Sequence, residues 1–175
     1  MLQWLRANEC PWDEFTCEWA AEGGHLEVLQ WARANGCPWD EVTAAWAARF
    51  GRMEMLRWAR ERGCPWDADA CAQAALGAHL EVLQHLRGAG CPWADVITAN
   101  AAHGGSLPLL QWVVAEGAGW HRWTCMNAAR RGDIGMLEWL RGAGCPWGEL
   151  PCEEAALHGK LAALRWCRER GAPWD

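Results

Sequence analysis

The stretch CPWDEVTAAWAARFGRMEMLRWARERG, residues 37–63, returns in altered form along nearly the whole chain. Its opening Cys-Pro-Trp, or a degenerate copy, begins again every 27 residues. A fixed period without insertions is typical of stacked repeats, in which each unit packs on its neighbours. The other starts are Cys10, Cys64, Cys91, Ala118, Cys145 and Ala172.

Positions are counted from that Cys or Ala, and they divide the chain into a single repeat array. Six full repeats cover residues 10–36, 37–63, 64–90, 91–117, 118–144 and 145–171, with a half repeat at 1–9 and a partial one at 172–175. Of the 16 Trp, 13 fall at positions 3 and 22, and nine of the 10 Cys fall at positions 1 and 8. The unusual composition is therefore evidence about architecture.

Each repeat is predicted to form two helices joined by a tight turn. Asp40, with its equivalents Asp13 and Asp67, stands where the first helix needs an N-cap. That helix spans about positions 5–13 and carries an invariant Ala pair at positions 11 and 12. The second helix carries Leu at position 20, and Gly at position 27 ends each full repeat. Pro108 and Pro151 both fall in predicted first turns. The pattern predicts an all-α fold.

One segment carries a family resemblance. Residues 20–29, AAEGGHLEVL, followed by Asn35-Gly36-Cys37, resemble the ankyrin-repeat pattern of an Ala pair, a Gly-His turn and a Gly-Ala step. The repeat is shorter than the 33 residues of ankyrin, it lacks the Thr-Pro-Leu-His signature, and Cys-Pro-Trp-Asp stands where the β-hairpin finger would be. It is similar to the shortened ankyrin-like arrays of large DNA viruses, algae and other protists.

The resemblance implies an α-solenoid of stacked helix-turn-helix units without β-hairpin fingers, serving as a non-catalytic scaffold or adaptor that binds a protein partner. Related arrays are often joined to an F-box that recruits a ubiquitin ligase, so a substrate-recruiting adaptor is an alternative. A leucine-rich repeat is a second structural alternative, because a period of 27 lies within that family's range.

Composition and charge exclude several classes of protein. Apolar residues make up 51% of the chain, too many for disorder. No run approaches the roughly 18 apolar residues of a membrane span, and the first residues lack the apolar core of a signal peptide. The net charge of −6 argues against nucleic acid as a partner. We expect an intracellular protein, in the cytoplasm or nucleus or in an infected host cell, that contacts no membrane.

The repeated Trp and Cys are interpreted as structural. Trp at position 3 is expected to pin the turn between repeats and pack on position 8, while Trp at position 22 covers the edge of the second helix. Equivalent Cys in neighbouring repeats lie too far apart for a disulfide, no Cys-x-x-Cys occurs, and Ala replaces several of the Cys. We therefore expect buried thiols and no metal, cofactor or catalysis. The alternative is a thiol-based enzyme, with Cys167 and His158 as the candidate pair, or a redox protein.

Recognition is expected where the repeats differ. Positions 6, 9, 10 and 13 share one face of the first helix, and positions 10 and 13 change freely between repeats. An exposed Trp beside Arg has the composition of a binding hot spot; a solvated surface without a partner is the alternative. The candidate residues are Trp19, Trp46, Gln73, Asn100, Asn127 and Glu154 at position 10, Arg49, His103 and Arg130 at position 13, and Trp123 at position 6.

The first and last residues of the sequence suggest a further expectation. The array begins at a second helix and stops at Trp174-Asp175, without the polar caps that normally protect the ends of repeat arrays. We expect either a fragment, a truncated product, or end-to-end self-association.

Overall fold

The computed structural model describes residues 13–173, and this part of the chain is helical apart from turns and loops. It contains twelve helices, two in each full repeat, and no strand among the described residues. The first helices are α1 (Glu14–Gly23), α3 (Glu41–Arg49), α5 (Ala68–Leu76), α7 (Ile97–Gly104), α9 (Thr124–Arg131) and α11 (Leu150–Leu157). The second helices are α2 (Leu26–Ala34), α4 (Met53–Glu61), α6 (Leu80–Gly88), α8 (Leu107–Ala115), α10 (Ile134–Gly142) and α12 (Leu161–Glu169). The predicted all-α class is confirmed, and a strand-lined leucine-rich repeat does not fit these residues.

The residue at position 4 decides where a first helix begins. The Asp40 carboxylate accepts hydrogen bonds from the backbone N–H groups of Val42 and Thr43, at 3.1 and 3.3 Å. Asp67 caps α5 in the same way, whereas Asp13 precedes α1 without such a bond. Where position 4 has no Asp, the helix starts one or two residues later, as α7, α9 and α11 do. In α3 and α5 the Asp stabilises the longer first turn because its carboxylate satisfies N–H groups that have no partner within the helix.

The turn between the two helices requires a left-handed residue at position 15. Gly51 has φ +67° there, and Ala78, at φ +61°, is the one non-glycine residue with positive φ in the described chain. A Cβ added to Gly51 would lie 2.6 Å from the imidazole of His79 in the next repeat. Position 15 therefore also serves as a contact between repeats. His25 and His79, at position 16, precede the second helices without capping them through a side-chain hydrogen bond.

The repeats are joined mainly through their first helices. Each first helix packs along the first helix of the next repeat, whereas successive second helices share few contacts. Ala47 and Ala48, the Ala pair of α3, are buried, and so are their equivalents in α5. A Cβ on Gly77 would lie 2.0 Å from the carbonyl oxygen of Arg49, so the two backbones touch at this point. Small residues are needed here because the helices approach so closely.

The apolar core lies between the layer of first helices and the layer of second helices. Each fully buried Leu side chain contributes about 1.5–3 kcal/mol through removal of apolar surface from water. The Leu at position 20 is fully buried in five repeats, as Leu29, Leu56, Leu83, Leu110 and Leu137.

Candidate functional site

Two stacked aromatic pairs lie on the exposed side of α1 and α3, the first helices of the first two full repeats. On α1 the ring centroids of Phe15 and Trp19 are 6.1 Å apart, with 28° between the ring planes. On α3 the centroids of Trp46 and Phe50 are 5.9 Å apart, with the planes within 12°. Trp19 is 67% exposed and Phe15 49%. These four residues are called the aromatic face below.

Only two of the four residues of the aromatic face were predicted from the sequence. Trp19 and Trp46 were predicted because they interrupt the repeat pattern, whereas Phe15 and Phe50 were not predicted. The signal was present, since in each pair the two aromatic residues are four apart, the spacing at which side chains on a helix surface meet. Because the rings stack in this way, each Trp is held against a second ring and loses less freedom on binding.

Arg49 extends the aromatic face toward α5. Its guanidinium lies 5.8 Å from the centroid of the Trp46 ring, and its Nη1 donates a hydrogen bond of 2.8 Å to Oε1 of Gln73. The amide of Gln73 in turn donates to the carboxylate of Asp69 at 3.3 Å. A small pocket opens between α3 and α5, lined by Val42, Ala45, Trp46, Arg49, Asp69 and Gln73.

A buried carboxylate fixes the orientation of Trp46. Glu18, on α1, is buried, and it accepts a hydrogen bond from the Trp46 side chain on the neighbouring helix. Burial raises the pKa of Glu18, and the nearby carboxylates of Asp40 and Glu14 raise it further. Trp46 thus presents its ring to the surface while its N–H group ties α3 to α1.

Two of the predicted site residues connect helices instead of facing a partner. The side-chain amide of Asn100 donates a 3.1 Å hydrogen bond to the carbonyl of Ala72, and that of Asn127 donates a 2.9 Å bond to the carbonyl of Ala99. Asn127 is buried and Asn100 half-buried. Each bond runs from position 10 to position 9 of the preceding repeat, as the bond between Trp46 and Glu18 does. We therefore leave both Asn residues out of the binding surface.

The remaining candidates are dispersed along the array. Glu154 is half-buried, and its Oε2 lies 3.3 Å from Nδ1 of His158. Trp123 is 39% exposed, and its ring packs edge-on against His121 at 4.7 Å. His103 and Arg130 are exposed. Partial desolvation of the His103 imidazole, together with the charge of Arg130, lowers the pKa of His103. The structure groups Trp46, Arg49 and Gln73, places Trp19 on the adjacent helix, and leaves the others apart.

The Trp side chains at positions 3 and 22 pack against each other within a repeat. The rings of Trp39 and Trp58, both in repeat 37–63, pack edge to face at 5.8 Å. The same pairing recurs in later repeats, with His85 replacing the second Trp against Trp66. Arg33, at position 24 of the preceding repeat, lies 4.1 Å above the Trp39 ring. Position 3 thus packs on position 22 of its own repeat. Trp4, Trp12 and Trp174 lie outside the described residues.

The thiols also meet across repeats in a way that the sequence analysis did not foresee. All nine Cys in the described chain are buried and free. Sγ of Cys17, at position 8, lies 3.6 Å from Sγ of Cys37, at position 1 of the next repeat. Sγ of Cys125 lies 3.1 Å from Sγ of Cys145. Equivalent Cys do not meet, as expected, but non-equivalent ones do.

Residues 13–173 hold no group of three or more His, Cys, Asp or Glu side chains arranged to bind a metal ion. Within the same range no helix is both long enough and apolar enough to cross a lipid bilayer.

Comparison with known proteins yields no assignment. No protein-family model matches the chain, and a search of curated proteins finds no significant match.

Proposed function

We propose that this chain is an ankyrin-like helical solenoid that acts as a non-catalytic protein-interaction module, with the aromatic face as its contact surface. The helix pairs, the left-handed turn at position 15 and the side-by-side first helices support the ankyrin-like part of the proposal. The exposed aromatic face is the observation that carries the binding part.

The exposure of the aromatic face needs a cause. Position 10 is occupied in later repeats by Gln, Asn or Glu, so the fold does not require Trp there. Exposed aromatic clusters on a soluble surface favour association, and Trp and Arg are enriched among the residues that dominate binding energy. Trp19, at 67% exposure, makes much of its ring available to a partner.

The charges beside the aromatic face define the partner's chemistry. Arg49 adjoins the ring of Trp46, and Arg52, which precedes α4, is exposed with its guanidinium beside Gly24 in the turn between α1 and α2. Neither forms a salt bridge with a carboxylate among the described residues. We therefore infer a partner segment that combines apolar side chains with at least one carboxylate, so that the arginines gain a counter-charge on binding.

Three buried thiols, among them the candidate nucleophile Cys167, support a non-catalytic role. Burial raises the pKa of Cys17, Cys64 and Cys167 to about 12. A catalytic Cys needs an accessible thiolate and a lowered pKa, so these three groups are poor nucleophiles. His158 bonds to Glu154, and no contact joins it to Cys167.

Peptides selected from a random display library on the full chain would test the proposal. Selected peptides should be rich in apolar and acidic residues, and Phe15→Ala with Trp19→Ala should weaken their binding about 30-fold, since removal of a hot-spot aromatic costs about 2 kcal/mol. Leu157→Ala with Leu161→Ala is the matched control, because both Leu are exposed but lie on α11 and α12. Fluorescence anisotropy measures the affinities, and circular dichroism checks the fold. Equal binding by the wild type and the Phe15/Trp19 variant would refute the aromatic face.

A further inference from the structure

Three pairs of buried thiols recur at the same place in the array. Each joins position 8 of one repeat to position 1 of the next, 20 residues further along the chain. In the first pair Sγ of Cys17 lies 3.6 Å from Sγ of Cys37, and in the third Sγ of Cys125 lies 3.1 Å from Sγ of Cys145. In the second pair, Cys71 and Cys91 are linked by a side-chain hydrogen bond. The three pairs are the only places in the described chain where both positions carry Cys.

The thiol pairs are held in defined orientations. The Cys37 thiol donates to the backbone carbonyl of Asp13 at 3.3 Å, and the Cys91 thiol donates to that of Asp67 at 3.0 Å. The position 8 thiol in turn donates to the position 1 sulfur, as Cys17 does to Cys37. Each of these thiol pairs therefore sits at the junction between a first helix and the loop that opens the next repeat.

Packing alone does not require two thiols at this junction. At one junction between repeats Ala44 and Cys64 occupy the two positions, and at another Thr98 and Ala118 occupy them. Those repeats fold with the same helix pairs. The junction thus accepts small side chains of several kinds, and a paired dithiol is one option among them.

We propose that Cys17–Cys37, Cys71–Cys91 and Cys125–Cys145 are modification sites, each closing to a disulfide between neighbouring repeats under a peroxide oxidant. Peroxide oxidises one thiol to a sulfenic acid and releases water. The second sulfur then attacks the sulfenic sulfur, an S–S bond forms as the S–OH bond breaks, and the hydroxyl leaves as a second water with the proton of the second thiol. Two electrons pass from each thiol pair to one peroxide.

The geometry requires little movement for this step. A disulfide bond measures about 2.0 Å, so the sulfurs at 3.1 Å have roughly 1 Å to close, by rotation about the side-chain bonds. Burial raises the pKa of Cys17 to about 12, whereas the hydrogen bond from the paired thiol lowers the pKa of Cys91 and of Cys145. In all three pairs the sulfurs are buried, so peroxide in solvent does not reach them directly. Oxidation is therefore slow in the closed structure and proceeds through local opening. Once formed, a buried disulfide is shielded from reductants in the same way.

The disulfides would join repeats that otherwise meet only through non-covalent contacts. Each closes a loop of about 20 residues and so reduces the conformational freedom of the unfolded chain. In a repeat array, stability depends on the interfaces between neighbours. Oxidation is therefore expected to raise the unfolding temperature in steps, one for each interface that is closed.

The test treats the full chain with hydrogen peroxide under native conditions and maps disulfides by mass spectrometry of unreduced peptides. The expected links are 17–37, 71–91 and 125–145, each with the loss of two hydrogens, while Cys64 remains a free thiol. Cys145→Ala should remove one link and part of the rise in unfolding temperature. Cys64→Ala is the matched control and should leave all three links. Both variants are compatible with the fold because Ala fills position 1 at Ala118 and Ala172.

Three outcomes would overturn the proposal. The thiols of a pair could stay unlinked in the native chain while the unfolded chain oxidises under the same conditions. Links could form at random and include Cys64. The pairs could also oxidise separately to sulfinic acids without joining, which the mass of each peptide would show.

Discussion

Ala78 occupies the one position-15 turn where the chain departs from glycine, and it gives a sharp test of the turn geometry. Its φ of +61° places a Cβ in the left-handed region. For a non-glycine residue that conformation costs about 1–2 kcal/mol. Replacement by Gly gives the unfolded chain more freedom, which costs about 0.4–1 kcal/mol. Ala78→Gly should therefore stabilise the protein by about 1 kcal/mol.

Two controls separate this effect from the general cost of glycine. Gly159 stands at position 15 of the last full repeat with φ +65°, and a Cβ there would meet no atom within 4 Å. Gly159→Ala should destabilise the protein by about 1 kcal/mol through backbone strain alone. Ala89 is exposed and has φ −87°. Ala89→Gly should destabilise it by about 0.4–1 kcal/mol, because glycine there relieves no strain.

Urea unfolding followed by circular dichroism at constant pH measures these changes, and thermal unfolding should shift by about 2–4 °C per kcal/mol for a chain of this size. Ala78→Gly must move the midpoint upward while Ala89→Gly moves it downward. If both substitutions lower stability alike, the left-handed turn is not the source of strain and the reasoning fails.

Three further predictions concern the contacts between helices. Asn127→Ala should destabilise the chain by about 0.5–1.5 kcal/mol in urea unfolding, because the hydrogen bond from its side-chain amide to the Ala99 carbonyl, which joins α9 to α7, is lost. Glu18→Gln should raise the unfolding midpoint at pH 7, since the raised pKa of Glu18 means that folding favours the protonated acid. Urea unfolding at several pH values should show that the stability difference between the variant and the wild type shrinks as the pH falls toward the pKa of an unfolded Glu. Arg60→Ala should lower the free energy of unfolding by about 0.5–1 kcal/mol, because the guanidinium 4.3 Å above the Trp66 ring makes a cation–π contact. Arg57 makes no ring contact in the described chain, so Arg57→Ala should lower the free energy of unfolding by less in the same assay.

Much of the fold could be predicted from the sequence because the same pattern of helices and turn occurs in six full repeats. The helix bounds, the left-handed residue at position 15 and the N-caps at Asp40 and Asp67 all depend on neighbours within one repeat. Local propensity and capping act over a few residues, so they can be read without knowing how repeats stack.

Contacts between repeats could not be predicted in the same way. The thiol pairs join residues 20 apart, and the bonds of Asn100 and Asn127 join residues 28 apart. Neither separation equals the period of 27, because each links two different positions. Comparing the same column across repeats cannot reveal such a pair; the rise and rotation between neighbouring units must be known first.

The role of position 10 explains why fewer residues belong to the candidate site than the sequence predicted, and why most of those that remain lie in the first two full repeats. In α7 and α9 this position holds an Asn that bonds to the preceding first helix, so variation there does not indicate freedom from the stack. Trp46 keeps that link through Glu18 and still adds a ring to the surface. Trp19, on α1, is mostly exposed. Position 10 therefore serves both stacking and recognition, and among the described residues it carries an aromatic ring only in α1 and α3.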